Sequence, residues 1–376
     1  MQEGWARVPV RLGAKVGAQT DPAFDEWASQ ALAKLWATPA LFPISMRPAD
    51  NRLVLVPLSP ARYRSLSFLD DREVPMARCF EVPLDRLLGA SRTILQAERK
   101  PLHGIFHIAF CGSTLLARCL GRLAGALVLK EPYSFHEMAV CRRRAPPQAN
   151  AAESWREAFG LLTALLARTF GPRQTAIVKP TDAATNLLPD VLAQTKSSRA
   201  LFMYVGLEAF LQSVLRVPER RVFIRDRLED LHVLLNGHPF FADDRWCALG
   251  DAERTACLWW LHWQLYRQST RGPAAARGRS LDFAAFLADP ADRLAAVACL
   301  FEIPASCSEI EAAVARELGS YSKDPGKAFT VGDRNAVLSA AAREYRDEIR
   351  AGIKWAERHF AQYPLPDGPP ASPALA

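Results

Sequence analysis

Short unbroken apolar runs at 105–110, 126–130, 175–179 and 200–205 alternate along this chain with longer stretches whose apolar residues recur at helical spacing. The short runs read as strands buried on both faces. In the longer ones, Leu116, Leu120 and Leu123 make a stripe in a helix over 113–124, and Trp155, Phe159, Leu162 and Leu166 another over 153–170. Strand alternating with helix predicts an α/β fold, a parallel sheet flanked by helices on both faces. A helix over 251–271 carries Trp259, Trp260, His262, Trp263 and Tyr266 as packing residues, and 335–360 predicts one long terminal helix with Ile349, Ile353 and Phe360 on its buried side. Upstream, the spacing predicts a helix from Phe24 to Trp36 and strands at 53–56 and 79–83, separated by Pro- and Asp-rich turns. Residues 21–100 are therefore expected to form a small α+β prefix that covers an edge of the sheet or contributes to acceptor choice. Residues 1–20 are expected to be a flexible arm, 101–360 the main domain, and the proline-rich 361–376 a disordered tail.

The run at 105–110 breaks at Gly112 and passes straight into a helix. Strand, glycine turn and helix N-terminus together present backbone N–H groups without intrahelical partners, reinforced by the helix dipole. Cys111, Gly112, Ser113, Thr114 and Leu115 are the expected anion cradle. The Ser113 and Thr114 hydroxyls add donors, or simply cap the helix. Aligning Gly112-Ser113-Thr114 on the Gly-Lys-Ser/Thr of a Walker A loop puts Ser113 where the lysine stands, which disfavours triphosphate chemistry. The spacing from Cys111 to Arg118 is one residue too long for a Cys-x5-Arg phosphatase loop. Ligands of open α/β sheets sit outside the carboxyl ends of the strands, so Lys130, Glu131 and Lys179 are expected to face Gly112.

The length of 376 residues, 49% hydrophobic and 23% charged, suits one large domain with an appendage and no need of disulfides. The 8 cysteines show no Cys-x-x-Cys pair and no zinc-type histidine spacing, so reduced thiols and no metal are expected. Cys111 is the exception: a thiol beside a helix N-terminus is a candidate nucleophile, or a small residue that fits the turn. No apolar run approaches the roughly 18 residues of a membrane span and no signal-peptide segment is seen, so the default expectation is a cytoplasmic protein. The net charge of +7 suits a polyanionic ligand, without the basic and aromatic patch of a dedicated nucleic-acid binder. Arg142-Arg143-Arg144 reads as a Pro-containing loop, either a solvated one or a lip that attracts anions.

Gly-Ser-Thr-Leu-Leu-Ala-Arg at 112–118 resembles the 5′-phosphosulfate loop of the sulfotransferase superfamily, whose members move sulfuryl groups from 3′-phosphoadenosine 5′-phosphosulfate on a P-loop fold without a metal. Val-Leu-Lys-Glu-Pro at 128–132 resembles the strand with a Glu-Pro in bacterial members, and 177–189 their next strand-to-helix turn. Residues 199–213 sit where the family keeps its 3′-phosphate strand, loop and serine, here Ser213. Residues 280–290 are similar to its Tyr-Glu-Asp-Leu segment, and 321–327, with Lys323 and Lys327, to its late basic loop. Two positions depart: Phe110 stands where the family loop has a cation, and Val205 where it has an arginine.

The resemblance implies a P-loop NTPase-like form of the sheet, a nucleotide donor and a hydroxyl or amine acceptor. Lys179 is then the first candidate for the cation at the bridging oxygen and Lys130 the second, with Arg199 and Arg216 as further sources of charge. Glu131 and His136, which follow a strand end, are the candidate bases for the acceptor; Glu131 otherwise anchors Lys179. Ser213, Lys323 and Lys327 are the expected nucleotide grip. Two other functions stay open: a non-catalytic nucleotide-binding or interaction protein on the same fold, and a Mg-ATP phosphotransferase with a displaced lysine.

Overall fold

The first described sheet is antiparallel. β1 (Leu41–Arg47) pairs with β2 (Arg52–Pro57), and β2 with β3 (Phe80–Pro83). Pro43 lies on the edge strand β1, beside a bulge between Pro43 and Ser45, where a missing N–H costs the ladder least. That proline hides β1 from a reading of periodicity. Helix α1 (Pro60–Ser65) follows β2, and α2 (Leu84–Leu95) follows β3. This computed structural model describes residues 35–74, 79–95, 100–144, 149–235, 237–242, 244–321, 324–328 and 330–364. The expected arm, most of the expected helix from Phe24 to Trp36 and nearly all of the expected tail lie outside them.

The main sheet is parallel throughout, with its strands in the order β5-β6-β4-β7-β8. These are β4 (Leu102–His107), β5 (Ala126–Lys130), β6 (Thr175–Lys179), β7 (Ala200–Tyr204) and β8 (Gly278–Asp282). β4 and β5 are buried along their whole length, which is why they read as continuous apolar runs with polar residues only toward the ends. After β4 the chain builds β5 and β6 on one side, then crosses to build β7 and β8 on the other. β4 is therefore the topological switch point, and the loop at its carboxyl end opens into the crevice where such sheets bind ligands.

Helices α3 (Ser113–Leu120), α4 (Tyr133–Arg144), α5 (Ala149–Leu166) and α6 (Leu188–Gln194) accompany the first strands. α7 (Leu207–Leu215), α8 (Pro218–Leu231) and α9 (Asp251–Ser269) lie between β7 and β8. α9 is buried from Thr255 to Tyr266, so its tryptophans and His262 pack as the spacing predicts. α10 (Phe283–Ala288), α11 (Pro290–Leu300) and α12 (Cys307–Leu318) follow β8. The helix expected over 113–124 ends at Leu120, and Glu317, buried on α12, takes ion pairs from Arg118 on α3 and from Arg122 in the turn after it.

An antiparallel pair, β9 (Ser320–Tyr321) and β10 (Asp324–Ala328), precedes the last two helices. The single helix expected over 335–360 is divided into α13 (Val331–Glu344) and α14 (Arg346–Gln362), with Tyr345 outside helical geometry at φ −106° and ψ 27°. The break has a packing reason. α14 buries Ile349, Trp355 and Ala356, whereas α13 buries only Ala341 and turns its first turns toward the crevice.

The prefix shares one hydrophobic core with the main sheet: Phe42, Leu55 and Tyr63 belong to the same cluster as Ile105, Phe159 and Trp263. Polar side chains sew the two together. The buried Arg168 guanidinium donates to the carbonyls of Leu35, Thr38 and Leu41, and Ser134 Oγ donates to the Pro43 carbonyl at 2.6 Å. Glu137 accepts from the Met46 N–H at 2.8 Å and from Arg47 Nε at 2.7 Å.

Candidate active site

The carboxyl ends of β4, β5, β6 and β7 open on one cavity of about 530 Å³, closed on the remaining side by α8 and the start of α13. That volume is in the range of small-ligand and cofactor sites. Its floor is the turn from Ala109 to Leu115. Gly112 is the residue before α3 and has φ +75°. A Cβ there would lie 2.3 Å from the Phe283 ring, so both backbone conformation and space demand glycine. Phe110, two residues earlier, has φ 58°, and Glu131, across the cavity, φ 50°. Among the described residues only four non-glycine positions have positive φ, and these two line the cavity. Backbone conformations of this kind concentrate at functional sites.

The cradle differs in detail from the expectation. The Leu115 N–H donates to the Gly112 carbonyl at 2.9 Å and is spent inside the turn. The Ser113 N–H and hydroxyl are turned toward the Cys111 sulfur. Among the described residues the N–H groups of Gly112 and Thr114 find no protein acceptor. Cys111 is buried, and its thiol donates to the Met203 carbonyl at 3.3 Å. Burial pushes that thiol up to about 11, against the smaller downward pull of Ser113 and Lys179. It is a packed thiol at neutral pH, so the nucleophile expectation is corrected in favour of a residue that fits the turn.

Lys179, the last residue of β6, is buried in the cavity wall with Nζ 2.5 Å from Glu131 Oε1. Arg72 Nη2 approaches the other oxygen of Glu131 at 3.7 Å while pairing with Asp70. Lys130 does not join them. Consecutive strand-end residues point to opposite faces, and Lys130 Nζ donates to the Arg64 carbonyl at 3.0 Å, away from the cavity. Burial lowers Lys130 to about 8.

His136 is also displaced from its expected setting. Pro132 is followed at once by α4, so His136 sits in the first turn of a helix rather than in a loop. Its Nδ1 lies 3.3 Å from Thr181 Oγ1, and it is Thr181 that lines the cavity. Burial, then Arg227 and Arg143, lower His136 to about 4. The triple arginine lies in the last turn of the same helix. Arg143 is buried and bonded to the Ala183 carbonyl and to Asp230, which removes it from any basic lip.

The residues that sequence reasoning missed are Arg220 and Arg227 of α8 and Arg334 of α13; Arg216, expected as a source of charge, stands just before α8. Arg216, Arg220, Phe223 and Arg227 recur at helical spacing and all line the cavity. Arg220 donates to Ser213 Oγ at 2.6 Å and to the Ser213 carbonyl at 2.7 Å, and its guanidinium lies 4.5 Å over the Phe110 ring. It thus supplies positive charge beside the serine and above the loop position that lacks a cation. Arg216 Nε is buried without a hydrogen-bond partner among the described residues. Arg227 holds the buried carboxylate of Asp182 at 2.8 Å and keeps it ionised below its ordinary range, against the pull of burial. Arg334, on α13, lies 5.1 Å over Phe283. Arg199 stands at the other end of β7, paired with Glu302, and contributes nothing here. Lys323 lies outside the described residues, as does the side chain of Lys327 on β10. Six cationic side chains (Arg72, Lys179, Arg216, Arg220, Arg227, Arg334) face three acidic ones (Glu131, Asp182, Asp333), so the cavity is electropositive. Among the described residues no cluster of His, Cys, Asp and Glu is placed to hold a metal ion.

No protein-family model and no curated protein matches the chain. Solved structures do. The sulfotransferase STF1 of Mycobacterium tuberculosis H37Rv is similar at 13% identity and a TM-score of 0.40, over 68% of this chain and 82% of that one. The sulfotransferase domain of the Synechococcus PCC 7002 olefin synthase is similar at 12% identity and 0.37, over 72% and 98%. The sulfotransferase STF9 of Mycobacterium avium is similar at 9% identity and 0.37, over 88% and 98%.

Proposed function

We propose that the cavity binds 3′-phosphoadenosine 5′-phosphosulfate and that the protein transfers its sulfuryl group to a hydroxyl or amine acceptor. The observation that carries this reading is the convergence, in one cavity, of the free N–H groups of Gly112 and Thr114, the Lys179–Glu131 pair and the arginine row of α8. The resemblance of residues 112–118 to a phosphosulfate loop supports it from the sequence side.

In this reading the head of α3 receives the 5′-phosphosulfate, where fixed N–H dipoles stabilise the charge that grows on the leaving phosphate. Lys179 reaches the bridging oxygen. Glu131 takes the acceptor proton as the acceptor atom attacks sulfur and the sulfur–oxygen bond to the phosphate breaks. The two groups start as an ion pair, so the reaction places a proton on Glu131 while Lys179 turns its charge to the departing phosphate. Arg220, Arg216 and Ser213 hold the 3′-phosphate, in place of the arginine that Val205 replaces. Lys130 and His136 act only through their neighbours, by holding Arg64 and Thr181. The proposed setting is cytoplasmic, and no described helix is long and apolar enough to cross a membrane.

One observation favours a second reading, a nucleotide-binding protein without transfer: Lys179 is already neutralised by Glu131, and the loop cation is replaced by Phe110. Calorimetric titration with adenosine 3′,5′-bisphosphate, beside ATP with Mg²⁺, tests the site. Micromolar binding of the bisphosphate alone, lost in the Ser113→Ala, Thr114→Ala double variant, is expected. Failure to bind the bisphosphate overturns both readings, and Mg²⁺-dependent ATP binding would redirect them to phosphotransfer. Release of bisphosphate from the donor only in the presence of an acceptor separates transfer from binding.

A further inference from the structure

His107 ends β4 and lines the cavity, yet it belongs to no step above. Its Nδ1 lies 2.8 Å from the Ile108 carbonyl oxygen and its Nε2 2.9 Å from the Pro180 carbonyl oxygen. Carbonyl oxygens only accept, so each contact needs an N–H, and a neutral imidazole has one. In the neutral ring, one nitrogen lone pair therefore faces a carbonyl oxygen at a residue that is 5% exposed. Only the doubly protonated ring makes both bonds.

The charged groups around the ring oppose one another. Burial and Lys179 withhold the second proton and bring His107 down to about 4, while Asp182, the Ile108 carbonyl and Glu131 pull the other way. Lys179, Glu131 and Asp182 line the same cavity, with Arg227 behind Asp182. An oxyanion entering the cavity offsets the field of Lys179 and of the arginines around it, which oppose protonation of the ring.

We infer that His107 is a positioning residue that takes up a proton when an oxyanion enters the cavity, and so bonds both carbonyls at once. Ile108 leads into the turn that ends at Gly112, and Pro180 joins Lys179 to Thr181. The protonated ring thereby fixes the start of the turn at Ile108 and the end of β6 at once, and the neutral ring bonds only one of the two carbonyls. The inference rests on the proposed function solely in requiring that an oxyanion occupies this site.

The test is a histidine-detected NMR titration of the whole chain from about pH 8 down to the acid transition near pH 5, in chloride and in sulfate of equal ionic strength. Sulfate is the probe because it does not itself titrate in that range. The His107 ring is assigned by through-bond correlation to its own backbone, so the wild type suffices, and His107→Gln serves as a control. Sulfate is expected to shift the amides of residues 112–115 and to raise the His107 titration midpoint by about one pH unit or more. Sulfate binding then tightens by about twofold between pH 7 and pH 5 in the wild type and is nearly flat in His107→Gln. Amide shifts with an unmoved His107 midpoint would overturn the inference and leave the anion site standing; no response at either place would overturn both.

Discussion

Glu131 and Lys179 are bonded twice: the carboxylate accepts from Lys179 Nζ at 2.5 Å, and the Glu131 N–H donates to the Lys179 carbonyl at 2.6 Å. The second bond holds Glu131 at positive φ, where its side chain swings into the cavity while that of Lys130 leaves it. Removing one member of so buried a pair strands the other charge. Lys179→Met is expected to cost about 2–4 kcal/mol, somewhat relieved by Arg72. Glu131→Gln is expected to tighten bisphosphate binding by about threefold to tenfold, through loss of a negative charge, and to slow transfer by about 100-fold or more. Denaturant melts of both variants and of their double check the first expectation, and titration beside a transfer assay checks the second. A coupling energy near zero in the cycle would remove the pair from the account of the site.

Gly112→Ala meets two penalties at once. The residue sits at φ +75°, which costs an L-residue about 1–2 kcal/mol. The new Cβ would also fall 2.3 Å from Phe283, an overpacking worth about 1–3 kcal/mol more. Adding Phe283→Ala relieves the second penalty alone, so the double variant is expected to recover only the packing part in a thermal melt, after correction for the Phe283→Ala change by itself.

Arg220 joins Ser213 to Phe110 and has no counterpart in the sequence resemblance. Truncation to alanine removes a charge-assisted donor at the proposed 3′-phosphate, an interaction of about 1.5–3 kcal/mol. Bisphosphate affinity is expected to fall by about 10- to 100-fold. Arg220→Lys restores the charge without the planar fork and is expected to recover only part of it. Adenosine 5′-monophosphate, which lacks the 3′-phosphate, is the control: its affinity should hardly change.

The strands of the main sheet and the turn at Gly112 were legible because both are local. A charged residue that terminates a fully apolar run, as Lys130 and Lys179 do, marks the end of a buried strand, and Gly112 marks the break into a helix. Strand alternation already separates Lys130 from Glu131, and Pro132 before Tyr133 already signals a helix start at His136. Arg220 and Arg227 were not legible for a different reason. α8 carries charge around most of its surface beside one thin buried line of Ile224, Leu228 and Leu231, so its packing against α9 decides which arginines meet the cavity. The division at Tyr345 is equally a tertiary matter, because α13 and α14 have different faces to bury.

Cys111 provides a chemical check on burial. A thiol raised to about 11 is almost wholly protonated at pH 7.5 and shielded in the core. Alkylation of the native protein with iodoacetamide is expected to label the exposed Cys247, Cys299 and Cys307 first and to spare Cys111. Rapid labelling of Cys111 at that pH would restore the nucleophile reading, and Cys111→Ala then becomes the informative variant. Otherwise that substitution should leave bisphosphate binding within about threefold of wild type, costing only the packing of a small side chain.

Acid should unfold this protein early. His103, His107, His136, His262 and His359 are all lowered from 6.5 to about 4, mainly by burial. A depressed histidine binds fewer protons in the native than in the unfolded state, so its contribution is whole above pH 6.5 and is lost as the pH falls toward 4. Each ring changes stability by up to about 1.4 kcal/mol per pH unit in that window. Together the rings exhaust a typical stability of about 5–15 kcal/mol near pH 5. Asp182, held below its ordinary value by Arg227, loses its contribution only at lower pH, as it becomes protonated. A circular-dichroism titration is therefore expected to show a cooperative transition near pH 5, before most carboxylates are neutralised. His262→Gln, at a ring whose Nε2 has no hydrogen-bond partner among the described residues, should flatten the approach to it by about one ring's share. A midpoint below about pH 3.5 would show that these rings accept protons inside the folded core.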